Sequence, residues 1–106
     1  MDSKLMGAAI SEDAAERLLQ HRLAALRVRI DQVDLELLRL LERRGQVVQE
    51  VMVLKKSTGT PTHDPVREEQ ILSRLREMHK GPYDWHAIAR VFRLVLEISR
   101  GLQGSR

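Results

Sequence analysis

The chain has 106 residues and a formal net charge of +3, with no cysteine and only one Trp, one Tyr and one Phe among its 42% hydrophobic residues. That length supports one domain rather than two, and the missing thiols exclude disulfides, thiolate zinc sites and cysteine nucleophiles. Acidic and basic residues are interspersed and no basic run is interleaved with aromatics, which argues against nucleic acid, and a cationic pocket for a small anion explains the charge excess as well.

The first predicted element is one very long helix. From Ser11 to Lys56 there is no proline, and Gly45 is the one glycine. Apolar residues recur at alternating steps of four and three through Leu19, Leu23, Leu26, Ile30, Val33, Leu37 and Leu40, and again at Val47, Val51 and Leu54. Arg44 interrupts that seam. The stretch "STGTP" ends the helix, with Gly59 as its terminator and Pro61 forbidding continuation. A helix of about 40 residues spans roughly 60 Å, against a radius of gyration of about 13 Å for a compact domain of this size. The other half of the chain cannot cover such a seam, so a second copy is expected and the fold reads as all-α, an intertwined helical-bundle homodimer.

The second helix begins at "HDPVREEQIL", where Asp64 suits the N-cap, Pro65 the first helical position, and Glu68 and Glu69 lie in or near the first turn. Ile71, Leu72, Leu75 and Met78 form its apolar face. Gly81 and Pro82 in "HKGPYD" turn the chain. The third helix is expected from about Asp84 to Gln103, with Ile88, Val91, Phe92, Val95, Ile98 and Leu102 as its stripe. Ser99 and Gln103, four apart, continue that stripe in polar form. The amino-terminal "MDSKLMGAAISED" has no apolar run of signal-peptide length, and a soluble cytoplasmic protein is expected.

Polar side chains in apolar seams need partners. A buried arginine costs several kcal/mol unless paired, so Arg44 is either a structural or register-setting residue or the holder of an anion. Lys55, eleven residues on, returns to within about 20° of the same azimuth roughly 16 Å along the axis, although by itself it is also a favourable cation near a helix C-terminus. Arg27 lies about 25 Å before Arg44 and reaches the same ligand only from a partner chain; taken alone it reads as a solvated surface arginine. Arg67 and Glu68 border the apolar face of the second helix, and Ser99 and Gln103 that of the third. Singly, Glu68 reads as a first-turn carboxylate, Ser99 as a hydroxyl bonded to its own helix, and Gln103 as a frayed end. Together they make four cations and one carboxylate. No Ser-His-Asp order, glycine-rich phosphate loop or i, i+4 pair among His21, His63, His79 and His86 accompanies them. A site that binds a compact polyanion and stabilises redistributed charge fits this set.

The segments "LRVRIDQVDLELLRLLERR", "VLKKSTGTPTHDPVREEQIL" and "GPYDWHAIARVFRLVLEISRGLQ" resemble the AroQ-class chorismate mutases over about residues 23 to 103. The "DPVRE" and "GP" features are similar to those of mutase domains fused to the front of DAHP synthases. The resemblance implies rearrangement of chorismate to prephenate, in phenylalanine and tyrosine biosynthesis, by an intertwined dimer with two sites and neither metal nor cofactor. It implies that Arg44 and the partner's Arg27 hold the substrate carboxylates, with Arg67 and Ser99 helping on the ring side. Lys55 and Gln103 are implied to bond the ether oxygen, Glu68 the ring hydroxyl, and Asp64 to contribute near that hydroxyl. Residues 1–16 have no counterpart in the family core and are expected to be a flexible extension, with 17–106 as the mutase-like domain. Association with a DAHP synthase is one implied partnership. Two alternatives stand beside the mutase: a regulatory chorismate- or prephenate-binding module for such a synthase, and an isochorismate pyruvate lyase.

Overall fold

The computed structural model describes residues 11–102, and all three elements it contains there are α-helices: α1 (Glu12–Thr58), α2 (Pro65–Met78) and α3 (Trp85–Gly101). Ser11 opens α1 by accepting the Ala14 amide on its Oγ at 3.0 Å. Glu12 and Asp13 in the first turn and Lys55 and Lys56 in the last complement the helix dipole. The helix thus begins inside the segment expected to be a flexible arm, because a hydroxyl cap and two acidic residues favour helix there; the first ten residues lie outside the described ones.

At the far end Gly59 takes φ +73°, a left-handed conformation that stops the helix without strain. Gly45 meets little: a Cβ built there would come 3.8 Å from Leu102 Cδ1, an ordinary van der Waals contact. Close packing therefore does not demand the glycine. None of the described helices is long and apolar enough to cross a membrane.

The chain divides into two units, one ending at Leu41 and the other beginning at Glu42. In the described part of the first, α1 stands without a tertiary neighbour from its own unit, and α1 buries no residue along its length. Leu19, Ile30, Val33, Leu37 and Leu40 are each more than half exposed. The seam read from sequence is thus a continuous apolar face.

The second unit holds the small core, Leu72 from α2 with Ala89, Val95 and Leu96 from α3. Asp84 caps α3 by accepting the Ala87 amide at 2.8 Å, and the His79 ring ties off the α2–α3 turn through a 2.6 Å bond between its Nε2 and Tyr83 O. The inward face of α3 differs from the expected stripe. Ala89, Phe92 and Leu96 turn toward the core with Val95, whereas Val91 and Ile98 are each 55% exposed. Helix α3 is apolar on two sides, and the side that carries Ala89, 1% exposed, is the buried one. Met78, expected on the α2 face, lies exposed in its last turn.

Candidate active site

Within the second unit, α1 presents Arg44, Val47, Val48, Val51, Met52 and Lys55 along one face, a spacing of three and four residues that stacks side chains on successive turns. These residues, with Thr62, Arg67 and Ile71, line a cavity of about 310 Å³. Three of the nine are cations and none is acidic. The aliphatic residues between the two ends of the row are themselves open to solvent, Val47 at 52% and Val51 at 43% exposed, and Arg67 is exposed, whereas Arg44 and Lys55 are half-buried.

Each cation is placed by a definite local device. Arg44 is half-buried, and its Nη1 donates to Ser99 Oγ at 2.7 Å; Ser99 Oγ in turn donates to Val95 O at 2.7 Å. The α3 hydroxyl therefore serves its own helix and the arginine at once. Lys55 is half-buried, and its Nζ lies 3.4 Å from Thr62 O in the loop that follows α1. Arg67 is set by the start of α2: Asp64 Oδ1 accepts the Arg67 amide at 3.0 Å and Pro65 occupies the first turn, so residue 67 emerges beside Ile71 on the cavity wall.

Two expected residues are engaged by protein. Asp64 uses a carboxylate oxygen as the α2 cap. Glu68 Oε2 accepts from Arg100 Nη1 at 2.5 Å and lies 3.8 Å from His63 Nε2. Arg27 belongs to the first unit and is exposed; Gln103 lies outside the described residues. Reading the sequence missed Arg100. Its signal was available, because it falls four residues after Leu96 on the line that actually turns inward. Among the described residues no group of three or more His, Asp or Glu side chains is placed to hold a metal ion.

A compact cavity with three cations at its wall and aliphatic side chains between them suits a small dianion with an apolar ring. The family model for chorismate mutase type II matches residues 26–104, which include Arg27, all nine cavity residues, Glu68, Ser99 and Gln103. The chain belongs to that family. It is 31% identical over 83 residues to the chorismate mutase of Methanocaldococcus jannaschii, covering 77% of this chain and 84% of that one. It is also 35% identical over 89 residues to the bifunctional chorismate mutase/prephenate dehydratase of Pseudomonas aeruginosa, of whose length it spans 24%. Among solved structures, the form II chorismate mutase of Thermus thermophilus superimposes with a TM-score of 0.77 at 38% identity, covering 80% of this chain and 97% of that one.

Proposed function

We propose that this protein is a chorismate mutase, rearranging chorismate to prephenate in the cavity between Arg44, Lys55 and Arg67. The observation that carries the reading is the convergence of those three cations, without a lining carboxylate, on one apolar-walled cavity in a chain of this family. The reaction is a one-substrate pericyclic rearrangement and needs no nucleophile. The protein has to select the folded diaxial conformer and stabilise the negative charge that grows on the ether oxygen as its bond to carbon breaks.

In this reading Arg44, steadied by Ser99, holds one substrate carboxylate, and Arg27 of the partner subunit holds the other. Lys55 and Gln103 donate to the ether oxygen, Arg67 supports the ring side, Glu68 accepts from the ring hydroxyl, and Asp64 aids that end chiefly by capping α2. The supply of Arg27 requires an intertwined homodimer, for which the exposed apolar face of α1 is the physical support. The mutase domain is taken to start near residue 17, and the protein to act in the cytoplasm. The "DPVRE" and "GP" features favour kinship with domains fused to DAHP synthases, and such a synthase is the partner to test.

The experiment is the loss of chorismate absorbance with purified protein, run beside a solution mass measurement. Turnover by a species of twice the chain mass supports the reading. Chorismate binding without turnover replaces it with the regulatory module, and turnover of isochorismate alone replaces it with the lyase.

A further inference from the structure

We propose that Arg100 is a positioning residue for the rearrangement, holding the Glu68 carboxylate off Arg67 and Lys55 so that those cations are available to the substrate, while Glu68 stays within reach of the substrate hydroxyl; this rests on the mutase reading above. Three observations carry it. Arg100 Nη1 donates to Glu68 Oε2 at 2.5 Å, joining the last turn of α3 to the beginning of α2, and both side chains are partly buried, 37% and 23% exposed. Glu68 does not line the cavity although its chain neighbour Arg67 does. Ser99 and Arg100 are consecutive, and the first grips Arg44 while the second grips Glu68.

The physical problem they solve is self-neutralisation. A free carboxylate next to Arg67, one turn from the cavity wall, is attracted to Arg67 and Lys55 and competes with the substrate for them. Arg100 offers that carboxylate a charge-assisted partner outside the cavity. It engages Oε2, which leaves Oε1 for a substrate hydroxyl. The last turn of α3 thus keeps an anion-binding group and a hydroxyl-binding group apart.

The test is a double-mutant cycle in kcat and KM with chorismate, using Arg100→Met, Arg100→Lys, Glu68→Gln and the two double variants, with urea unfolding of each. Arg100→Met is expected to raise KM by about tenfold or more, the scale of losing one hydrogen bond to a charged group, while kcat falls less. Arg100→Lys should recover most of that loss. In the Glu68→Gln background, where no carboxylate is left to invade the cavity, Arg100→Met should change KM by less than about twofold. Equal losses in both backgrounds, or a drop in stability with KM unchanged, overturns the proposal while the mutase reading stands. No turnover by the wild-type protein overturns both. Should the methionine variant fail to fold, Arg100→Gln, which removes the charge but keeps a polar side chain of similar length, carries the same cycle with the same coupling expected.

Discussion

Replacing Arg44 by alanine should reduce turnover far more than stability. Among the described residues its guanidinium makes one hydrogen bond, to Ser99 Oγ, and no ion pair. Losing that bond costs the folded protein about 1.5 kcal/mol. Two effects offset it: Ser99 keeps its bond to Val95 O, and one of three like charges around a single cavity disappears. The unfolding free energy should therefore move by no more than about 1 kcal/mol. On the proposed assignment, catalysis loses the partner of a substrate carboxylate in a half-buried setting. Truncating one member of such a pair costs about 2–5 kcal/mol, which converts to a fall in kcat/KM of about 30- to 5,000-fold. Chorismate absorbance and urea unfolding on the same preparations read both quantities. A kcat/KM within about tenfold of wild type, or a stability loss above about 3 kcal/mol that accounts for the lost activity, would show that Arg44 is in the seam for structure and refute the assignment.

Asp64→Ala should lower stability by about 1 kcal/mol through loss of the α2 cap, and Asp64→Asn, which preserves an acceptor, should lose little; urea midpoints of the two variants check this. Gly45→Ala should raise stability by up to about 1 kcal/mol, because the added methyl meets only Leu102 Cδ1 at 3.8 Å and mid-helix glycine is the poorer helix former. A thermal melt that falls instead would reveal crowding at that face. Gln103→Glu should become more active as pH falls toward the ordinary glutamate range near 4.3, because only the protonated acid can donate to the ether oxygen; a flat kcat/KM profile between about pH 5 and 8 would count against that role.

Much of this architecture could be read before any coordinates. The unbroken α1 follows from the absence of proline between Ser11 and Lys56, and the start of α2 from the Asp64-Pro65 pair. The shared face of Arg44 and Lys55 follows from their separation of eleven residues. All of these depend on neighbours within one helix. The partners did not emerge, because they depend on how helices are rotated about their axes. Helix α3 has apolar residues on two sides, and the pattern predicts Val91 and Ile98 on the inward one, whereas Ala89 and Leu96 are the buried pair. That choice turns Arg100 toward Glu68. Ser99 was recognised as a polar residue in a seam, but its bond to Arg44 spans 55 positions and needs α3 placed against α1.

The absence of any buried residue in α1 has a thermodynamic consequence. On the homodimer reading, the helix acquires its hydrophobic stabilisation from a second molecule, so folding and association become one equilibrium governed by mass action. The melting temperature should then climb with protein concentration, and dilution should unfold the chain rather than release a folded subunit. Catalytic competence would disappear with it, since a site that borrows an arginine exists only while two copies are together.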